Sequence, residues 1–126
     1  FFCSFYQMKV KISENFMDMK EILKLCKLTE EEMTGYLQLT KNIDHKEDHS
    51  RAYRTMMNQT RRELLKFIGI NVKTFEELKD NFNELGDTLN YHLSMLEQLF
   101  YILNTKSGWK ATPRGIGFLY NAILKD

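Results

Sequence analysis

Two histidines stand four residues apart in His45-Lys46-Glu47-Asp48-His49. On a helix, positions i and i+4 share a face, and two imidazoles so placed can ligate one zinc ion. The helical zinc-protease pattern puts a glutamate directly after the first histidine. This chain has Lys46 there and suggests no third ligand elsewhere, so no metal or other cofactor is expected. Cys3 and Cys26 are too few for a disulfide framework and suit a reducing cytosol. Cys26 lies in an apolar stripe and reads as a small buried hydrophobe. The chain has no glycine-rich phosphate loop, no Gly-x-Ser-x-Gly, and no His–acid pair beside an evident nucleophile. Enzymatic activity is therefore not expected, and the chemistry to look for is binding.

Directional polar groups collect between residues 87 and 98. Asp87, Thr88, Asn90, Tyr91, Ser94, Met95 and Gln98 would share the exposed face of one helix. Asn and Gln can pair bidentately with adenine, and Thr or Ser can bond phosphates. The face holds no Lys or Arg, and Asp87 opposes phosphate, so a merely solvated face is the bland alternative. Candidate phosphate contacts are Lys106, Lys110 and Arg114, with Arg61, Arg62 and Lys73 behind them. Arg61 or Arg62 is better suited to pair with a nearby acid such as Glu63 or Glu77. His92 borders the apolar side of the same helix, as a half-buried, hydrogen-bonded histidine or as a phosphate contact. Trp109 and the phenylalanines of the second half read as core.

These residues belong to a chain of 126 residues, 43% hydrophobic and 28% charged, the composition of one globular domain or one domain with an arm. The longest apolar run, residues 99–103, falls far short of the ~20 residues of a membrane span. Residues 1–7 lack the basic start and long apolar centre of a signal peptide. Net charge is +1 but unevenly spread: residues 1–49 carry seven Lys against nine acids, and residues 50–126 eleven Lys and Arg against eight acids. All five arginines lie in the second half. That balance permits a nucleic-acid partner without demanding one.

Periodicity and caps supply the elements. Residues 8–12 alternate, as a short strand or an extended arm. Ser13 is an N-cap candidate for a loose stripe through Met17, Met19, Ile22, Leu23, Leu25 and Cys26. Thr29 with Glu32 has capping-box spacing, and so has Thr74 with Glu77. Residues 41–50 are a linker or a solvated helical turn. Residues 51–68 read as one helix ended by Gly69. Leu85, Leu89, Leu93, Leu96 and Leu99 step by three and four, the clearest amphipathic signal in the chain. Residues 101–105 and 109–111 read as a hairpin, and Thr112-Pro113 opens a last helix lined by Ile116, Leu119, Tyr120 and Ile123. The class is mainly α with a small β-hairpin. Helix, short helix, helix, hairpin, helix is the order of a winged helix-turn-helix, in which a helix enters the major groove and the wing carries cations to flanking phosphates.

Residues 58–119 resemble the ArsR-like winged-helix family of archaeal and bacterial transcription regulators. The matching stretches are Gln59-Thr60-Arg61-Arg62-Glu63-Leu64-Leu65-Lys66-Phe67-Ile68, Lys73-Thr74-Phe75-Glu76-Glu77-Leu78, Leu89-Asn90-Tyr91-His92-Leu93-Ser94-Met95-Leu96-Glu97 and Trp109-Lys110-Ala111-Thr112-Pro113-Arg114-Gly115. The resemblance implies a sequence-specific, double-stranded DNA-binding regulator acting as a homodimer. Its recognition helix would be about residues 86–99 and its wing about 101–111. DNA contacts would come from Thr88, Asn90, Tyr91, Ser94, Met95, Gln98, Lys106, Lys110 and Arg114. The family's usual glycine after the recognition helix is Phe100 here, which implies a longer or differently shaped turn. The paired cysteines of its metal sensors are absent, so metal sensing does not carry over.

The organisation expected is a winged helix-turn-helix domain over residues 50–126 preceded by an arm and helical extension over residues 1–49. Met17, Met19, Leu23, Met33 and Leu37 make the extension adaptable. It and the last helix are the candidate dimer surfaces, or else they pack on their own domain. A winged-helix module that binds protein rather than DNA is the alternative function.

Overall fold

The computed structural model describes residues 11–12 and 17–123; the Ser13 cap candidate and Cys3 lie outside them. Among the described residues there are seven α-helices and a three-stranded antiparallel sheet. The helices are α1 (Met19–Leu25), α2 (Glu30–Thr40), α3 (His45–Thr55), α4 (Gln59–Ile68), α5 (Phe75–Asn81), α6 (Thr88–Gln98) and α7 (Pro113–Asn121). The strands are β1 (Lys11–Ile12), β2 (Val72–Lys73), β3 (Ile102–Thr105), β4 (Gly108–Ala111) and β5 (Ala122–Ile123). None of the described helices is long and apolar enough to cross a membrane.

Side-chain caps start every one of these helices except α6. Asp18, Thr29, Asp44, Asn58, Thr74 and Thr112 each accept a bond from a backbone N–H of the first turn. Thr29 with Glu32 and Thr74 with Glu77 form complete capping boxes. Gly69 ends α4 at φ 53°. The continuous helix expected over residues 51–68 is broken. Asn58 turns out of the helical region (φ −85°, ψ 120°) to cap α4, because a short amide side chain competes for backbone N–H groups. The break leaves carbonyls at the end of α3, and arginines take them: Arg62 Nη1 donates to the Met56 carbonyl at 2.8 Å. The polar stretch 41–50 holds the first half of α3, capped by Asp44, and the helix runs on through residues 49 and 50.

The sheet order is β2-β4-β3, with Val72 opposite Lys110 and Ile102 opposite Ala111. Strand β2 was not anticipated, since two residues carry no periodicity. Gly108 (φ 133°) makes its place possible: a Cβ there would stand 2.7 Å from the Lys73 carbonyl oxygen. β1 pairs antiparallel with β5. The last helix ends at Asn121, two residues short of Ile123, which lies in β5.

The core gathers Leu64, Leu65 and Ile68 of α4, Leu89, Leu93 and Leu96 of α6, Trp109 and Ala111 of β4, and Ile116 and Phe118 of α7. Ile22 of α1 and Ala52 of α3 join the same cluster. α7 is enclosed from Pro113 to Phe118 rather than amphipathic, and Tyr120 is exposed. Gly115 allows this enclosure, since a Cβ there would meet the Tyr101 carbonyl oxygen at 2.3 Å.

Phe100 keeps the left-handed backbone (φ 65°) that glycine usually supplies. Its N–H donates to the Glu97 carbonyl and that of Tyr101 to the Leu96 carbonyl, both at 3.0 Å. That pair of bonds is the Schellman helix ending. The turn after α6 thus has the shape a glycine would give, and the longer or altered turn expected from Phe100 is not what forms.

Candidate nucleic-acid interface

The leucine stripe of α6 decides which of its side chains face water. With Leu89, Leu93 and Leu96 buried, Thr88, Asn90, Tyr91, Ser94 and Gln98 are exposed together. Met95 is half-buried at the margin. Thr88 Oγ1 donates to the Leu85 carbonyl at 2.7 Å, which spends its proton at the helix start. Gln98 Nε2 donates to Ser94 Oγ at 3.2 Å, an exposed i, i+4 bond that is cheap to exchange for another partner. Asn90 carries its amide openly.

One flank of α6 is held by Arg61. Its Nε donates to His92 Nδ1 at 3.2 Å, its Nη1 reaches the Thr55 carbonyl at 3.4 Å, and its guanidinium lies 5.5 Å from the Tyr91 ring centre. His92 is therefore a half-buried, hydrogen-bonded histidine, and partial burial, with Arg61 beside it, holds its pKa below the ordinary value. The hairpin is tied to the helix as well: the Asn104 N–H donates to Glu97 Oε2 at 3.2 Å. Thr105 Oγ1 closes the β3–β4 turn on the Gly108 carbonyl at 2.7 Å, leaving Lys106 and Ser107 exposed at its tip.

Two of the three cations expected beside this face are elsewhere. Lys110 is 4% exposed, and its Nζ stands 2.8 Å from Glu32 Oε1 of α2. The Lys110 ammonium and the cap at Thr29 hold the Glu32 carboxyl below the ordinary carboxylate range. Strand alternation with Trp109 points Lys110 away from one core, but residues 26–36 cover that second face. Cys26 Sγ donates to the Ala111 carbonyl there, and Tyr36 is buried. Burial pushes the Cys26 thiol and the Tyr36 hydroxyl up. Arg114 is fully buried in a bidentate pair with Asp48 of α3 and also donates to the Leu99 carbonyl at 2.8 Å. Both residues are structural ties, of β4 to Glu32 of α2 and of the start of α7 to Asp48 of α3, not surface contacts. Lys106 alone of the three is open to solvent.

Exposed cations that the sequence did not single out are Arg51 and Arg54 of α3. With Arg61, Thr55, Met95 and Leu99 they line a groove beside α6. The i, i+3, i+4 spacing of Arg51, Arg54 and Thr55 was the available signal; the break at Asn58, which brings Arg61 to them, was not. Lys73, half-buried, lies 4.8 Å from the Phe67 ring centre. His45 is exposed and His49 half-buried on α3, and among the described residues no group of three or more His, Cys, Asp or Glu is placed to hold a metal ion. No family model matches the chain, and no curated protein or solved structure matches it.

Proposed function

We propose that this chain is a winged helix-turn-helix protein that binds double-stranded DNA and regulates transcription as a homodimer, acting by binding and not by catalysis. In this reading α6 enters the major groove and the β3–β4 turn meets the backbone. The observation that carries it is one arrangement: the order α4, β2, α5, α6, β3, β4 with β4 central in the sheet, and a polar, uncovered face along all of α6. Eleven residues make a helix of about 16 Å, and the major groove, about 12 Å wide, admits one. Asn90 and Gln98 would read base edges, Thr88, Tyr91, Ser94 and Met95 would fill the contact, and Lys106 would meet a phosphate. Two such helices one DNA turn apart would read a near-palindromic site.

Selection from a random duplex library, followed by anisotropy titration at ~50 and ~200 mM salt, tests the reading. Binding should weaken at least tenfold over that range. Asn90→Ala should lose roughly 5- to 150-fold on the selected site and less on random duplex, the effect of one bidentate base contact. Sedimentation reports the dimer. No detectable binding at the lower salt would sink the reading. Protein recognition by the same fold is the second reading, and it is favoured by one observation: the α6 face has no cation and begins at exposed Asp87, whereas Leu37 and Leu39 of α2 stand open.

A further inference from the structure

Arg51, Arg54 and Arg61 line one groove of about 250 Å³ between α3, the start of α4 and the flank of α6. Arg51 and Arg54 share a face of α3 with Thr55, and Arg61 is held in place by His92 and the Thr55 carbonyl. Met95 and Leu99 supply the apolar part of the wall. Among the described residues none of the three arginines forms an ion pair with a carboxylate. Arg51 also borders a neighbouring cleft that contains Asp44, Glu47 and Asp48, but the Asp48 carboxylate is engaged by Arg114. Three like charges converging on one concavity repel one another and raise the local concentration of anions. Guanidinium groups present paired N–H donors that match the oxygens of a phosphate. The groove runs along the same helix whose exposed face carries Tyr91 and Gln98, so an anion in it would lie at the edge of that face.

We propose that this groove binds a phosphate group. With a duplex backbone as its source, the inference rests on the DNA-binding reading above; with a free phosphorylated ligand as its source, it stands without it.

The full chain is compared with the double variant R51Q/R54Q. Both side chains are exposed, so the melting transition should stay where it is, which separates lost binding from lost folding. In one arm pyrophosphate is titrated at low salt, and the backbone amide resonances of Thr55, Arg61 and Met95 are followed by NMR. In the other arm a labelled duplex is titrated from ~50 to ~200 mM salt. A backbone source predicts that the slope of log affinity against log salt flattens by about 1.8 in the variant, the share of two phosphate contacts. A free-ligand source predicts saturable pyrophosphate shifts at the groove that vanish in the variant, with the duplex slope unchanged. Duplex binding with an unchanged slope and no saturable pyrophosphate shift overturns the proposal and leaves the DNA reading standing. Arginine-dependent pyrophosphate binding without any duplex binding keeps the groove and overturns the DNA reading. Binding of neither probe overturns both.

Discussion

Five cations of this chain divide between two fates. Lys110 and Arg114 lie inside, each against one carboxylate: Glu32 for the lysine and Asp48 for the arginine. Arg51, Arg54 and Lys106 remain at the surface with no ion-pair partner among the described residues. Residue type does not separate the groups, since each contains a lysine and an arginine. What separates them is whether an acid from residues 30–48 arrives. A buried charge is tolerable only when paired and hydrogen-bonded. The acidic balance of the first half therefore partly neutralises cations of the second half, and Arg51, Arg54 and Lys106 are left open.

The sharpest way to break this comparison is at Arg114. Arg114→Ala should cost about 3–5 kcal/mol in urea unfolding, because it strands the Asp48 carboxylate in the core. The double variant Asp48→Leu/Arg114→Met should recover most of that loss, since well-packed apolar groups often replace a buried pair without cost. A single-variant loss below about 1 kcal/mol would show that the pair is not buried in solution.

Lys110 should give the next effect, and it should depend on pH. The Glu32 pKa is lowered in the folded chain, so the unfolded chain binds the proton more tightly. Its stabilising share is then fully present above the ordinary carboxylate value of 4.5 and is lost as pH falls through the lower folded value. Lys110→Met should cost about 1 kcal/mol at pH 7 and flatten the acid limb of the stability curve. Wild type and variant losing stability in parallel below pH 4.5 would remove Glu32 as the cause.

His92 sharpens the comparison on the α6 flank. Its folded pKa lies below the ordinary 6.5, first through burial and then through Arg61. The neutral form is thus favoured by folding, and its share of stability is present above 6.5 and lost as pH falls through the lower folded value. An NMR titration of His92 should show a midpoint below 6.5, moving upward in Arg61→Gln. A midpoint at or above 6.5 in the wild type would mean that His92 is not half-buried in solution, and a midpoint that stays put in Arg61→Gln would mean that Arg61 is not held there.

The smallest effect on stability belongs to Lys106. Lys106→Ala should leave unfolding unchanged within about 0.5 kcal/mol. Under the DNA reading it should still reduce the salt slope of duplex binding by about 0.9. An unchanged slope would remove the turn from the interface.

Much of the secondary structure was legible because its causes are local. Thr29 with Glu32, Thr74 with Glu77, Gly69 and Thr112-Pro113 each act within a few residues, and each marks a helix end where expected. The leucine stripe placed α6 and its exposed face for the same reason. Less was legible where a short element is defined only by a neighbour, as β2 is by β4, or where two local preferences compete, as at Asn58. Phe100 shows a third case: its residue type argued against the turn, and the bonds from its own N–H and that of Tyr101 hold the turn nevertheless.

The sequence by itself determined the helix starts at Thr29, Thr74 and Thr112, the core stripe of α6, the hairpin and the concentration of arginines after residue 50. Only the tertiary structure decided which cations stay open. Glu32 and Lys110 are 78 positions apart, and Asp48 and Arg114 are 66 apart. No periodicity spans such distances. A lysine on a strand and an arginine at a helix start look solvent-facing until another segment covers them with a carboxylate. That covering is a property of the packed chain, and it turned two expected surface contacts into ties that hold the fold together.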